Sequence, residues 1–222
     1  MRPKTLDHVA LWVADRDTIA AFLVERLELH VIDRSERFTL VGSHARHGKL
    51  TLFDAEGPRE AGTLAHVALR VSDLALAPAE LRGAPFEVAE GLRLALVEAP
   101  TSVEFDLDHV ALLSADPASA AERWLDYGFA PAPPGPSGAP RVEAGGAWLE
   151  LHADAPAATE RSLLNHVGVL VDSVADHLAG AREAGIEVDD VVDAPNTLAL
   201  FVTGPEGVRL EYVEHKPSFS LV

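Results

Sequence analysis

Two histidines and two glutamates in the second half of the chain have the residue types and spacing of metal ligands. His109 and His166 each stand early in an apolar run, and Glu150 and Glu211 each follow a leucine within a later apolar run. A carboxylate buried in an apolar strand is costly unless a cation lies beside it. Two imidazoles and two carboxylates on rigid strands suit one divalent ion, Zn, Ni, Co, Mn or Fe. We therefore predict one metal site formed by His109, Glu150, His166 and Glu211.

Both histidines belong to a motif that occurs four times. The openings are LDHVAL from residue 6, LAHVAL from residue 64, LDHVAL from residue 107 and LNHVGV from residue 164. Two residues after each histidine, on the same face of a strand, stands a small residue that leaves space beside the imidazole: Ala10, Ala68, Ala111 or Gly168. The histidine spacing is long, short and long. It indicates two pairs of repeats and leaves open whether repeat one pairs with two or the pairing is crossed.

The remaining pattern of each repeat predicts the elements that must hold these side chains. A helical pattern follows three of the openings, with Asp15, Asp116 and either Asp172 or Ser173 as predicted N-caps. In repeat two, Pro78 allows only a short helix near 79–81. Strand-like segments close the repeats at 38–41 and 49–53, 86–88 and 92–97, 141–143 and 147–152, and 198–202 and 208–213. The fold class is therefore α+β, with four βαβββ repeats.

The first half of the chain lacks the glutamates. Thr51 and Ala95 stand at the aligned positions, so His8 and His66 are predicted to have no carboxylate partner and to be structural residues. We therefore divide the chain into residues 1–106, which hold repeats one and two without a metal site, and residues 107–222, which hold repeats three and four and bind the metal.

Several neighbouring residues have two interpretations. Glu150 could pair with Arg141 instead of a metal. Two loop histidines, His44 and His47, are either solvated or in contact with a substrate. The segment 131–140, rich in Pro and Gly, is either a loop within repeat three or a lid over a site. On the same strand faces as the glutamates, Trp148 and Arg209 either line a pocket or lie at an exposed edge.

Composition narrows the class of partner. The 222 residues carry a net charge of -17 and no cysteine, which opposes nucleic-acid binding and excludes disulfides and Cys-based zinc sites. The apolar runs are too short to cross a bilayer, and the N-terminal residues do not form a signal peptide, so we expect a cytoplasmic location and no membrane partner. The expected partner is a small-molecule substrate, and a homodimer is one option for the assembly.

The repeated openings and the endings GGAWLEL (145–151) and GPEGVRLEY (204–212) resemble the vicinal oxygen chelate superfamily. That superfamily includes glyoxalase I, methylmalonyl-CoA epimerase, extradiol ring-cleaving dioxygenases and antibiotic resistance proteins such as the bleomycin resistance protein. The resemblance covers nearly the whole chain. It implies that paired modules form two curved mixed sheets, which cup a metal that the substrate chelates through two neighbouring oxygens.

The resemblance implies three functions. A complete His-Glu-His-Glu set is similar to the glyoxalase type, a lyase, isomerase or epimerase in which Glu150 or Glu211 would be both ligand and catalytic base. The four-module layout is similar to the extradiol dioxygenases, which are oxidoreductases; His109, His166 and Glu211 would then hold Fe(II), with Glu150 behind them. The third function is binding of a small molecule or antibiotic without catalysis. The acid-base His and Tyr of that dioxygenase family would fall near Asn196 and Phe201, which cannot transfer protons.

Overall fold

The computed structural model describes residues 2–155 and 159–222, and it contains the four predicted repeats. Repeat one comprises β1 (Thr5–Val13), α1 (Arg16–Leu27), β2 (His30–Arg34), β3 (Phe38–Gly42) and β4 (Lys49–Asp54). Repeat two comprises β5 (Leu64–Val71), two 3-10 turns (Leu74–Leu76 and Ala79–Leu81), β6 (Phe86–Ala89) and β7 (Leu92–Glu98). Repeat three comprises β8 (Asp106–Ser114), α2 (Pro117–Trp124), a 3-10 turn (Leu125–Tyr127), β9 (Ala130–Pro131), β10 (Arg141–Ala144) and β11 (Ala147–Ala153). Repeat four comprises β12 (Leu164–Leu170), α3 (Val174–Glu183), β13 (Val188–Asp193), β14 (Thr197–Thr203), a 3-10 turn (Pro205–Gly207) and β15 (Arg209–His215).

The helices begin where the capping residues predict. The side chains of Asp15, Asp116 and Ser173 each accept a hydrogen bond from the backbone N–H three residues later, at 3.0, 3.1 and 3.1 Å respectively. Of the two candidates before α3, Ser173 is the cap. Repeat two has only single 3-10 turns in place of the helix, as Pro78 predicts.

Strand pairing is crossed between the two halves of the chain. The first sheet has eight strands in the order β13-β14-β15-β12-β1-β4-β3-β2, and the second has seven in the order β6-β7-β5-β8-β11-β10-β9. Repeat one therefore shares a sheet with repeat four, and repeat two shares one with repeat three. Each predicted half, 1–106 and 107–222, contributes one repeat to each mixed sheet, so the boundary at 106 does not separate the sheets.

Three short or exposed strands are absent from the sequence-based prediction. They are β2, β9 and β13, each of which is an outermost strand of its sheet. Val31 in β2 and Val191 in β13 are each 45% exposed, and acidic residues interrupt both strands. Edge strands of this kind bury little apolar surface, so they lack the alternation that identifies a strand in a sequence.

Burial of one sheet face determines where the histidines point. On β1, Val9 and Leu11 are fully buried, and on β8, Val110 and Leu112 are fully buried. This apolar face packs under the helices: α1 lies against β3 and β4, α2 against β10 and β11, and α3 against β14 and β15. Because neighbouring side chains alternate between faces, the histidine of each opening is directed to the face away from the helices.

Candidate metal centre

Each histidine of an opening stands across from a small residue of the paired strand. In the antiparallel pair of β1 and β12, His8 is opposite Gly168 and His166 is opposite Ala10. A Cβ atom at position 168 would lie within 3.0 Å of three ring atoms of His8, so glycine is required there. The small residues of the openings therefore make room for an imidazole from the neighbouring strand, and two imidazoles meet at the strand junction.

Three side chains converge on this junction, and we call His8, His166 and Glu211 the first cluster. His8 Nε2 and His166 Nε2 are 2.9 Å apart. Glu211 Oε2 lies 3.0 Å from His8 Nε2 and 2.8 Å from His166 Nε2. All three side chains are at most 12% exposed. Within residues 2–155 and 159–222, this is the one group of three His, Asp or Glu side chains whose ligand atoms all lie within 4.8 Å of one another.

The other nitrogen of each imidazole is held by the residue that precedes it. His8 Nδ1 donates to Asp7 Oδ1 at 2.8 Å, and His166 Nδ1 donates to Asn165 Oδ1 at 3.0 Å. Asp7 is in turn held by Lys49 Nζ at 2.8 Å and lies 2.9 Å from His215 Nε2. Such partners fix the ring orientation and leave the Nε2 lone pair directed into the cluster.

The three side chains of the first cluster shift one another's pKa values. Burial lowers the pKa of His8, but the carboxylates of Glu211 and Asp7 outweigh burial and raise it to about 9. Burial raises the pKa of Glu211, but the nearby His8 and His166 hold it well below its usual range. Burial lowers the pKa of His166, because Glu211 compensates only in part. The carboxylate and the two imidazoles therefore form a site that binds a proton or a metal cation.

A divalent metal ion fits this donor set. With both Nδ1 atoms donating, two Nε2 atoms and one carboxylate oxygen face one another at 2.8–3.0 Å, and they repel unless a proton or a metal ion lies between them. Ligands about 2.0–2.2 Å from a metal and at right angles to one another are about 3 Å apart. Two imidazoles and one carboxylate on one side of an ion form the arrangement typical of non-haem Fe(II) sites with open positions.

Aromatic side chains surround the first cluster. The Phe201 ring packs edge-on against His166 with 5.2 Å between centroids, and the Phe53 ring is 6.4 Å from it. Trp12 lies 5.4 Å from Phe53. The guanidinium of Arg209 lies 4.1 Å above the Phe201 ring. The imidazoles are therefore bordered by flat apolar surfaces, with the Arg209 cation stacked on one of them.

The second sheet repeats the geometry with different surroundings. Its central strands place His66 opposite Ala111 and His109 opposite Ala68. We call the group that gathers there the second cluster, and its members are His66, His109, Glu150 and His152. His66 Nε2 and His109 Nε2 are 3.2 Å apart. Glu150 Oε2 lies 3.7 Å from His109 Nε2 and 3.4 Å from His152 Nε2.

The second cluster is less tightly held than the first. Asp108 accepts a hydrogen bond from His109 Nδ1 at 2.7 Å, whereas Ala65 precedes His66 and offers no such partner. Burial and the neighbouring His109 and His152 lower the pKa of His66 to about 4. Arg141 lies across the strand pair from Glu150, with 3.7 Å between Arg141 Nη1 and Glu150 Oε1. Glu150 therefore lies near Arg141, as one of its two interpretations expects, and its other oxygen faces His109 and His152.

The predicted four-ligand set is divided between the two sheets. His109 and Glu150 lie in the second cluster, and His166 and Glu211 lie in the first, so the structure does not bring the four together. The reason is non-local strand pairing: β12 pairs with β1, and β8 pairs with β5. The expectation that His8 lacks a carboxylate partner is corrected, because Glu211 lies 3.0 Å away. The Asp-His opening shared by repeats one and three was the signal in the sequence that could have identified His8.

The remaining candidates lie outside the two clusters or beside them. His44 is exposed, and His47 Nδ1 lies 3.2 Å from Asp106 Oδ2. Trp148 contacts the guanidinium groups of Arg70 and Arg141, which lie 5.4 and 4.5 Å from its ring centroid, beside the second cluster. Asn196 accepts hydrogen bonds from Ser220, as a turn residue would. Within the 131–140 segment, Gly135 packs against the Glu150 carboxylate, so this loop covers one side of the second cluster.

Comparison with known proteins identifies the fold. The family model for the Glyoxalase/Bleomycin resistance protein/Dioxygenase superfamily matches residues 5–112. A putative dioxygenase from Bacillus subtilis subsp. subtilis str. 168 aligns over 98% of this chain and 87% of its own, with 16% identity and a TM-score of 0.78. Glyoxalase I from Zea mays aligns over 95% and 92%, with 16% identity and a TM-score of 0.68. The cppA protein from Streptococcus pneumoniae TIGR4 aligns over 96% and 98%, with 14% identity and a TM-score of 0.59. A search of curated proteins finds no match.

The resemblance to the Glyoxalase/Bleomycin resistance protein/Dioxygenase superfamily is confirmed over residues 5–112, which match the family model. The predicted fold class, four βαβββ repeats in two mixed sheets, is confirmed. Members of this superfamily bind small-molecule substrates and typically hold a divalent metal. In the part of the chain that the structure describes, no helix has the length and apolar character needed to span a membrane.

Proposed function

We propose that the protein is an Fe(II)-dependent ring-cleaving dioxygenase whose first cluster binds the metal and whose substrate is an aromatic vicinal diol. The observation that supports this most directly is the number of protein ligands. His8, His166 and Glu211 supply two nitrogens and one oxygen that lie within 4.8 Å of one another, the donor set of a non-haem Fe(II) site with open positions. Such a set leaves adjacent coordination positions for a diol and for O2.

The position of a fourth ligand is occupied by a residue that binds metals poorly. On β4, next to β1, Thr51 stands in register with Ala10, just as Glu211 stands in register with Gly168. A glyoxalase-type site would need a carboxylate there, to complete the ligand set and to move a proton. Because a neutral hydroxyl cannot do either, we favour the dioxygenase over the lyase, isomerase or epimerase alternative.

The aromatic border of the first cluster supports a planar substrate. Phe53 and Phe201 flank the His166 ring, and Trp12 extends the Phe53 surface. Aromatic rings pair favourably with other rings in offset or edge-on contact. A diol that chelates the ion with two neighbouring oxygens would therefore place its ring between these side chains. They would also keep water away from the reacting face.

The chain's own residues would hold and orient the reactants. Fe(II), when bound, supplies the coordination positions and electron transfer for the reaction of a diol with O2. Asp7 and Asn165 keep the Nδ1 atoms of His8 and His166 protonated, so the Nε2 atoms stay available as ligands. Glu211 supplies the negative charge that balances the ion. Both atoms of O2 enter the product of such a cleavage, so no separate reductant is needed.

Ring cleavage can be measured directly. The metal-free protein is loaded with Fe(II) without oxygen, given a panel of catechols with apolar and anionic substituents, and then exposed to O2. We expect oxygen uptake and a yellow ring-fission product, with the zinc-loaded protein as an inactive control. Isomerase or epimerase turnover with Zn, Ni or Co, and no ring fission, would favour the Lewis-acid alternative. Ligand-dependent thermal stabilisation of metal-free protein, with no turnover, would favour a binding protein.

A further inference from the structure

We propose that the second cluster is a separate transition-metal site, formed by His66, His109, His152 and Glu150, and that it takes a borderline ion such as Zn(II). The inference does not depend on ring cleavage at the first cluster. It assigns a role to a histidine, His152, that has no counterpart in the first cluster: the position two residues after Glu211 is Val213.

The four side chains share one face at the centre of the second sheet. His66 and His109 meet across the antiparallel strands β5 and β8, and Glu150 and His152 project from β11, which lies beside β8. Consecutive donor atoms are 3.2, 3.7 and 3.4 Å apart, in the order His66, His109, Glu150 and His152. Tetrahedral ligands at about 2.0–2.1 Å from zinc are about 3.3 Å apart. Each neighbouring pair in the series is therefore about as far apart as two ligands of one zinc ion, whereas the members that are not neighbours lie farther apart.

The donor atom of His152 has no hydrogen-bond partner in the described structure, and that of His109 is directed at the same cluster. His152 Nε2 is buried and forms no hydrogen bond within residues 2–155 and 159–222. His109 Nε2 points into the cluster because its Nδ1 donates to Asp108. Buried polar atoms normally have a partner, and an unpartnered imidazole nitrogen beside a carboxylate is what a missing cation leaves behind.

The competing interpretation is an ion pair between Glu150 and Arg141. The guanidinium approaches only Oε1, at 3.7 Å, which is longer than a hydrogen bond. Its Nε donates instead to Pro133 O at 2.7 Å, and the group stacks 4.5 Å from the Trp148 ring centroid. Oε2 remains on the histidine side. Arg141 therefore balances part of the Glu150 charge and leaves one carboxylate oxygen free to bind an ion.

An ion that binds to the second cluster must bring its four donor atoms closer together. Unlike the first cluster, the second contains no three donor atoms that all lie within 4.8 Å of one another. Among the described residues no hydrogen bond holds the Nδ1 atom of His66, and the His152 side chain is 29% exposed, so we expect both rings to be able to rotate inward. A closed set of three imidazoles and one carboxylate is the pattern of a four-coordinate zinc site, whereas the three ligands of the first cluster leave it open.

The test is zinc stoichiometry with the full chain. Metal-free protein is equilibrated with Zn(II), desalted and analysed for zinc per chain, and zinc positions are located by anomalous scattering from crystals. We expect two ions in the wild type, one in His66→Asn/His152→Asn, one in Glu211→Gln, and two in the exposed control His30→Asn. In Asp108→Asn, which keeps every ligand, we expect the affinity for the second ion to fall about 10- to 100-fold.

One ion in both the wild type and His66→Asn/His152→Asn would overturn the proposal, because the second cluster would then be an ion pair with neutral histidines. Two ions in that variant, or an anomalous peak elsewhere, would overturn it as well. Circular dichroism and the metal-free melting temperature show whether each variant folds. The proposed function fails differently: Glu211→Gln would keep the ion at the first cluster, or the iron-loaded enzyme would not cleave catechols.

Discussion

The two sheets of this protein present the same pair of histidines in different surroundings. In the first cluster, both imidazoles are held from behind, by Asp7 and Asn165, and both reach one carboxylate oxygen of Glu211. In the second, one imidazole is held from behind and the carboxylate also faces a guanidinium. Strand register therefore brings the histidines together in both sheets. We infer that the residue before each histidine and the charges beside the glutamate determine how tightly an ion is held.

The surfaces around the two clusters differ in the same way. Phenylalanine and tryptophan rings border the first cluster, so its surroundings are flat and apolar. Around the second, Arg70 and Arg141 stack on Trp148, and Gly135 of the proline-rich segment packs against Glu150. We infer that a flat substrate matches the aromatic surroundings of the first cluster better than the charged surroundings of the second.

The largest expected difference lies between two matched glutamate substitutions. Glu211→Gln removes the only carboxylate of the first cluster, and we expect iron binding to be lost and ring cleavage to fall by about a thousandfold or more. Glu150→Gln should leave ring cleavage within about threefold of the wild type, because Glu150 lies on the other sheet. Iron content and the rate of oxygen uptake measure both. Equal loss of activity in the two variants would mean that the clusters do not divide the functions as we propose.

The pH dependence of metal-free stability should have opposite signs for the two clusters. The pKa of His8 rises from 6.5 to about 9 on folding, so its stabilisation is present below pH 6.5 and is lost as the pH rises through 9. The pKa of His66 falls to about 4, so the folded state is penalised as the pH falls from 6.5 towards 4. For His8 the change is at most about 3 kcal/mol. For the less buried His66 it is smaller.

Urea unfolding of metal-free protein at several pH values between 5 and 9.5 checks these signs. We expect His8→Asn to flatten the decline on the alkaline side and His66→Asn to flatten the decline on the acid side. The His30→Asn variant, at an exposed position, should follow the wild type at both ends. The assigned charge states would be contradicted if His8→Asn changed the free energy of unfolding on the acid side, or if His66→Asn changed it on the alkaline side.

Glycine at position 168 offers a smaller test of the strand junction. We expect Gly168→Ala to lower the free energy of unfolding by about 1–3 kcal/mol, because the new methyl group overlaps the His8 ring. At the equivalent place in the second sheet stands Ala111, opposite His66, which already accommodates a Cβ. Ala111→Gly should therefore cost only about 0.5–1 kcal/mol, through backbone entropy alone. Urea unfolding of the metal-free variants measures the two values, and an equal cost would contradict the packing argument.

Features that depend on neighbouring residues in the chain could be predicted from the sequence, and features that depend on contacts between distant residues could not. The four openings, the helix caps at Asp15, Asp116 and Ser173, and most strands follow from local patterns, and the structure confirms them. The edge strands β2 and β13 could not be predicted, because Val31 and Val191 are half exposed and their strands lack a buried face. Local patterns also gave the correct face for each histidine, since that depends only on alternation.

The composition of each cluster could not be predicted, because it depends on which strands pair. A histidine and a glutamate of the same repeat do lie together: His109 with Glu150, and His166 with Glu211. The second imidazole of each cluster comes from the other half of the chain. The sequence contains His8 and His66 in equivalent openings, and only the antiparallel pairing of β1 with β12 and of β5 with β8 assigns each to its glutamate.

The smallest expected effect comes from adding a second glutamate beside each cluster, at equivalent positions of the two sheets. Thr51 in the first sheet and Ala95 in the second stand at equivalent places, in register with Ala10 and Ala68. We expect Thr51→Glu to add a second carboxylate to the first cluster and to raise its zinc affinity about tenfold, a change of about 1.4 kcal/mol. Ring cleavage should fall as an open coordination position is filled. Ala95→Glu serves as the matched control, because it alters only the second cluster and should leave both the zinc affinity of the first cluster and ring cleavage unchanged. If Thr51→Glu left zinc affinity and turnover at wild-type values, then position 51 would not face the ion, and the three-ligand geometry from which the dioxygenase proposal follows would lose its main support.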